Sequence, residues 1–269
     1  MTSASSSSSS PLSSSSSAAE PRVEIRPCQS IDEFRACVAL QKEVWNFQDA
    51  DLVPLRMFVV AEEIGGQIIG GFHGQTLVGF SLSVPGTHDG VGYLHSHMLA
   101  VTAPYRNSGL GRRIKLAQRQ DALRRGVDLI EWTFDPLEIK NAYLNLMRLG
   151  AVVRQYSVDH YGASSSPLHR GLPTDRLIAQ WWLKSKRVTQ LLESGSLPPF
   201  QTAKTISVPA QIYAWRSSEA DLPKAAQVQK QNREEFLEAF SKGLAAMGFA
   251  RDQSNNGAYL LGPLERNEL

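Results

Sequence analysis

Apolar and polar positions alternate with period two over residues 23–26, Val-Glu-Ile-Arg, which predicts a first short strand. Ser30 followed by Glu33 has the spacing of a capping box and opens a helix through about Val44. Pro54 suits the first turn of a second helix over 55–64, closed by Gly65 and Gly66. Residues 67–72 and 77–84 read as two strands joined at Gly74-Gln75, a hairpin, and 93–101 as a further strand. A helix is expected over about 108–125. Leu110, Ile114 and Ala117 form its apolar face, and Arg112, Lys115 and Arg119 lie on a largely solvated remainder. Residues 128–134 form the next strand, 139–149 a helix ended by Gly150, and 151–161 another strand. After a loop over 162–173 come a strand at 177–183, a helix near 188–193 and a break at Pro198-Pro199. A long helix is expected over about 222–247, with Phe236, Phe240 and Leu244 at i, i+4 spacing and Gly248 ending it; 259–261 is a last short strand. This alternation predicts an α/β sheet with its ligand site at the carboxyl end of a strand.

Composition changes this picture little. The chain has 269 residues, enough for one large domain with an ample core. Residues 1–20 are almost entirely Ser and Ala and cannot bury enough surface to offset their ordering entropy, so a disordered Ser-rich tail is expected there. They also lack the basic-then-apolar order of a signal peptide. Twenty-eight basic residues against 26 acidic ones leave a net charge of +2, which gives no general drive toward nucleic acid or a membrane surface. No apolar run reaches the ~18 residues of a membrane span. Cys28 and Cys37 are the only cysteines and stand apart from any pair of histidines; a metal site is not expected, and both read as small apolar groups in a reducing compartment.

The chemistry concentrates in residues 99–113, Leu-Ala-Val-Thr-Ala-Pro-Tyr-Arg-Asn-Ser-Gly-Leu-Gly-Arg-Arg. Unpaired N–H groups of a helix's first turn, here about 108–111, form an anion site. Gly109 and Gly111 let a phosphate approach that backbone, and Arg106, Arg112 and Arg113 add positive charge. A P-loop would need Lys-[Ser/Thr] after the second glycine, and a dinucleotide fingerprint would need a third glycine where Ile114 stands. The order Leu-Ala-Val, then Arg-x-x-Gly-x-Gly, resembles the acyl-CoA signature of the Gcn5-related N-acetyltransferase (GNAT) superfamily. The order of elements from Val23 to Tyr161 resembles its core. The resemblance implies a mixed, mostly antiparallel twisted sheet flanked by helices. It implies that Arg106, Asn107, Ser108, Gly109, Leu110, Gly111 and Arg112 hold the CoA pyrophosphate, and that the backbone at Leu99 and Val101 pairs with pantetheine.

Acyl transfer to an amine requires that the amine lose a proton, that the oxyanion be stabilised and that the leaving thiolate be protonated. His95 and His97 lie in the strand that leads to the motif. Residues two apart in a strand face one side, so the two imidazoles could together pass a proton to solvent. They stand six and four residues before Val101. In GNAT enzymes the first of these positions is often the base, and in arylalkylamine N-acetyltransferases both are His, which implies catalytic roles for His95 and His97. Asn141 and Asn145 share a helix face and could bond pantetheine amides. Three features depart from the family pattern. Leu146 stands where the family usually has the Tyr that protonates the thiolate, Tyr143 is one turn earlier, and Pro104 and the Asn pair are shifted along the chain.

The expected organisation is a tail over 1–20, an acyl-CoA-binding core over 21–185 and a C-terminal α+β extension over 186–269 that packs on the core. The expected activity is direct transfer of an acyl group from acyl-CoA, acetyl-CoA first among the donors, to a small-molecule amine. Transfer would need no covalent enzyme intermediate and no metal, and nucleic acid and membrane are not expected partners. A cytoplasmic enzyme is expected, with a homodimer allowed. The alternative is a CoA-binding sensor or interaction module that has lost turnover; the missing Tyr favours it, and the His pair favours the enzyme.

Overall fold

The structure is a computed structural model and describes residues 23–88, 90–162 and 171–265. The Ser-rich segment 1–20 and most of the loop expected over 162–173 lie outside the described residues. The strands are β1 (Glu24–Pro27), β2 (Gln67–His73), β3 (Thr76–His88), β4 (Val91–Val101), β5 (Leu129–Phe134), β6 (Val152–Ser157), β7 (Arg176–Trp182), β8 (Lys204–Val208), β9 (Leu244–Arg251) and β10 (Gly257–Pro263). They form one open ten-stranded sheet among the described residues, in the order β1-β2-β3-β4-β5-β7-β6-β9-β10-β8. Its neighbouring strands pair antiparallel except β4 and β5, which pair parallel. The helices are α1 (Ile31–Trp45), α2 (Leu55–Glu63), α3 (Leu110–Arg124), α4 (Ile139–Tyr143), α5 (Lys186–Ser194), α6 (Ile212–Ser217) and α7 (Leu222–Ser241). None of the described helices is long and apolar enough to cross a membrane.

Local chemistry sets these elements. The Ser30 hydroxyl accepts from the Glu33 N–H at 3.2 Å, which satisfies one orphan donor of α1, and the Glu33 carboxylate reaches back to the N–H of Gln29, before the N-cap, at 2.7 Å. Phe34 of α1 and Phe58 of α2 pack with Phe80 and Met98 on one face of the sheet. Leu110 and Ile114 of α3 pack with Ile69 and Val78 on the other. A third, larger cluster joins Trp181, Phe236, Phe249 and Tyr259 to the residues around α4. The Tyr259 hydroxyl donates to the Pro136 carbonyl at 2.8 Å, which ties β10 to the loop leaving β5.

The structure departs from the sequence expectations in three places. α7 stops at Ser241, where Gly243 takes φ +77°, and residues 244–251 are a strand; the helix expected to Met247 is not formed. β9 lies between β6 and β10 and is buried on both faces, so it lacks the two-residue alternation that distinguishes a strand from a helix. β8 and α6 form where the sequence pattern predicts no element. The helix expected over 139–149 changes at Leu144 into one turn of π-helix, Leu144–Arg148, which ends with the Leu149 N–H donating to the Leu144 carbonyl at 3.0 Å.

Candidate active site

β4 and β5 pair at Leu94 with Ile130 and at His95 with Glu131, and beyond those residues no further pairing joins them. The carboxyl halves of two adjacent parallel strands therefore part. The backbone of β4 from Ser96 to Val101 keeps its β3 partner on one edge and turns the other edge into the gap. The gap belongs to a cavity of about 900 Å³. On β4, the register to β3 shifts between Ser96 and Met98, a bulge at His97. As a result Ser96 and Leu99, three apart, both face α3, while Met98 and Ala100 face α1 and α2.

At the open end stands the start of α3. Gly109 is its N-cap with φ +83°, a conformation that suits glycine, and no side chain caps the first turn. Asn107 is also left-handed, with φ +61°, and the Ser108 hydroxyl donates to the Tyr105 carbonyl at 2.6 Å. A Cβ on Gly111 would meet Leu99 at 3.6 Å, ordinary contact, so glycine there is not demanded by the chain's own packing. Leu110 is buried under the sheet. Arg106 Nε donates to the Val101 carbonyl at 3.1 Å, and Arg112 Nε to the Arg148 carbonyl at 3.1 Å, which joins α3 to the π turn. Leu99, Asn141 and Asn145 line the cavity; Asn145 is buried and Asn141 exposed. Val101 lies beside Leu110 and Ile114.

The two imidazoles lie side by side with ring centres 6.2 Å apart. His97 lines the cavity, and His95 sits at the residue where β4 and β5 last pair. Burial, then the positive charges of His97, His160 and Lys115, push half-buried His95 down to about 4; His97 is exposed at the cavity, and the protein around it lowers its ring by desolvation in the same direction. Both rings are therefore neutral near pH 7 and able to accept a proton.

At the closed end the structure places a residue read from sequence as solvated. Lys115 is 3% exposed and lines the cavity. Its Nζ donates to the Ser96 hydroxyl at 2.8 Å and stands 3.8 Å from the centre of the Trp132 ring. Burial alone pushes it down to about 7. Arg119, placed on the same solvated face from sequence, is partly buried and donates to the Leu183 carbonyl at 2.8 Å. The buried stripe of α3 is Leu110, Ile114, Lys115, Gln118 and Ala122, and Gln118 joins the polar group by donating to Ser83 Oγ at 2.7 Å.

The opposite wall comes from three separate segments. Trp45 ends α1, and Phe47 and Asp51 follow it; Tyr161 and Thr174 lie in the link from β6 to β7, and Arg176 opens β7; Tyr213, Arg216 and Ser217 belong to α6. Arg216 pairs with Asp135 at 3.0 Å and Glu138 at 3.4 Å. Burial, then the Asp135 charge, hold the Glu138 carboxyl above the usual range, with Arg216 opposing. Leu146 is fully buried in the large core cluster and carries no hydroxyl to the cavity, whereas Tyr161 and Tyr213 do line it. The Tyr161 and Thr133 hydroxyls are 2.8 Å apart. Sequence reasoning missed Lys115, Trp132 and these wall residues, since only the helix stripe of α3 hinted at any of them.

No protein-family model and no curated protein sequence matches the chain. Among solved structures, the chain is similar to a ribosomal-protein-alanine N-acetyltransferase from Brucella melitensis (17% identity, 58% of this chain and 98% of that one, TM-score 0.47). It is also similar to an N-acetyltransferase from Staphylococcus aureus (12% identity, 61% and 99%, TM-score 0.49). A third is a GNAT family acetyltransferase from Elizabethkingia anophelis with acetyl-CoA bound (12% identity, 60% and 97%, TM-score 0.43).

Proposed function

We propose that this chain is an acyl-CoA-dependent N-acyltransferase of GNAT type that moves an acyl group directly to a small-molecule amine. The observation that carries the reading is the parting of β4 and β5 beyond His95 and Glu131, with the uncapped first turn of α3 at its open end. A pyrophosphate fits that turn because its N–H groups and Arg106 and Arg112 are positive, while an extended amide-bearing arm fits the free edge of β4 at Leu99 and Val101. Asn141 and Asn145 then meet the arm from the far side.

In this reading the amine enters from the wall formed after α1, between β6 and β7, and on α6. Its nitrogen attacks the thioester carbonyl carbon, the carbon–sulfur bond breaks, and an amide and CoA thiol result. Of the two protons the ammonium loses, one ends on the CoA sulfur and the other leaves to solvent. His97, neutral and exposed at the cavity, takes the first proton and gives it up to solvent, with the neutral His95 ring beside it. A β4 backbone N–H on the freed edge stabilises the oxyanion. The free thiols of Cys28 and Cys37 fit a reducing, cytoplasmic setting.

The test is calorimetry with acetyl-CoA followed by a thiol-release assay over a panel of amines. Micromolar-range binding, about −8 kcal/mol, is expected. The buried Leu146 favours a second reading, a CoA-binding module without turnover. Binding with no thiol release under any amine selects that module, and absence of binding removes both readings.

A further inference from the structure

A lysine ammonium buried without a counter-ion is costly, and Lys115 is in that position at the bottom of the cavity. Its neighbours are a hydroxyl and an indole face, and no carboxylate among the described residues pairs with it. Ser96 and Trp132 hold it from β4 and β5, the two strands that part to form the gap. The group is held by these contacts in the lining of a space the chain itself does not fill.

Its position relative to the donor follows from the strand. Val101 stands at the open end by the start of α3, and Ser96 lies five residues back along β4, about 17 Å at ~3.4 Å per residue. A CoA arm that starts at the α3 turn and follows this edge delivers its acyl group toward Ser96 and Lys115. The aromatic wall at Trp45 and Phe47 lies with α1 and α2, on the other face of β4, so Lys115 meets the donor from the side opposite the incoming amine. An acetyl methyl offers an ammonium nothing. A carboxylate at the end of a short acyl chain would supply the missing counter-charge, and the Ser96 hydroxyl would supply a further hydrogen bond.

We propose that Lys115 and Ser96 form the subsite for the end of the acyl chain, and that the preferred donor is the CoA thioester of a short dicarboxylic acid. This rests on the acyl-CoA reading above and names its donor class. Binding of such a donor draws Lys115 into its charged form, whereas an uncharged donor does not. His95, the titratable neighbour on β4, stays neutral through the relevant range, since it is pushed to about 4.

The experiment is calorimetry on the full chain with free CoA, acetyl-CoA, butyryl-CoA and succinyl-CoA, without amine. Butyryl and succinyl chains have equal carbon number and differ in the terminal carboxylate. Succinyl-CoA is expected to bind about tenfold more tightly than butyryl-CoA, a preference that Lys115→Met and Lys115→Gln both erase. At pH 8, titrations in buffers of different ionisation enthalpy should show uptake of about one proton with succinyl-CoA and none with butyryl-CoA. The proton readout uses the unaltered chain and holds if the variants fail to fold. Equal binding of the two esters, or a preference that survives both variants, overturns the proposal while leaving the acyl-CoA reading in place. Failure of every ligand, free CoA included, overturns both. A peptide map that shows Lys115 itself acylated also overturns it, since the amine would then be an acceptor.

Discussion

Lys115 Nζ stands 3.8 Å from the centre of the Trp132 ring, a cation on an aromatic face inside the fold. The contact offsets only part of the cost of burial, and the amine is held near 7 against 10.5 in the unfolded chain. The unfolded state therefore binds more protons between pH 7 and 10.5, so unfolding free energy from this group rises with pH through that window. Below pH 7 the folded chain carries the full burial cost.

Lys115→Met removes both the cost and the slope. Its melting temperature at pH 7 is expected to be equal to or a few degrees above that of the unaltered chain, because an apolar side chain of similar volume replaces an unpaired charge. The gain should shrink toward pH 10. Calorimetric melts from pH 6 to 10 check this, and a variant less stable than the parent at every pH would contradict it.

The start of α3 separates folding from binding. Gly111→Asp adds a Cβ at ordinary contact distance from Leu99 and a carboxylate in the helix's first turn, where the dipole favours negative charge. Stability should hold or rise slightly. On the acyl-CoA reading, affinity for acetyl-CoA should fall by about 10²-fold or more, because the carboxylate would face the pyrophosphate. Gly109→Ala acts differently: its left-handed φ of +83° costs an alanine about 1 kcal/mol, with nothing within 4 Å to clash. A Gly111→Asp chain that binds acetyl-CoA as tightly as the parent would place the pyrophosphate elsewhere.

The first half of the fold was legible because its elements carry strong local signals. Ser30 and Glu33 cap α1, Gly74 turns the β2–β3 hairpin, and Gly126 follows α3. The region after β7 was less so, for a physical reason. β9 is buried on both faces, and its Ala-Ala-Met segment favours helix locally; only pairing with β6 and β10 makes it a strand. The site shows the same division. The glycines at 109 and 111 announced a helix start, but the cavity wall assembles from three distant segments. Lys115 was partly legible: it stands three residues before Gln118 and seven before Ala122, on the buried stripe, although its charge argued for solvent.

The His pair predicts an unusual pH profile. Both rings titrate below the ordinary 6.5, so the accepting, neutral form predominates at pH 6.5. With an acceptor of low amine pKa, the acid limb of kcat/KM should be centred below 6.5. His97→Ala should lose about 10²-fold in kcat with little change in donor affinity, and His95→Ala less, since His97 lines the cavity and His95 lies at the paired end. An acid limb centred at 6.5 that persists in both variants would assign the proton to another group.

α6 brings Tyr213 and Arg216 to the cavity from a region far along the chain. Removing the C-terminal region wholesale cannot test its role. Phe236 and Phe249 meet the Tyr259 ring edge-to-face at 5.0 and 4.8 Å in the main core, and β9 pairs with β6 of the same sheet, so truncation after β7 would strip an apolar face and leave the chain unfolded. A surgical change is available. Tyr213 is 38% exposed, so Tyr213→Ala leaves little void in the core and removes an aromatic face from the wall opposite the donor edge. If α6 bounds the amine pocket, KM for the acceptor should rise about tenfold, with donor KM and melting temperature near those of the parent. Arg216→Met should act on charge as well, because it frees the Asp135 and Glu138 carboxylates now paired at 3.0 and 3.4 Å and leaves two negative groups beside the incoming ammonium. Acceptor affinity should then become more sensitive to salt than in the parent. If neither change moves acceptor KM in steady-state assays, α6 serves only to close the core, and the amine binds along the other two wall segments.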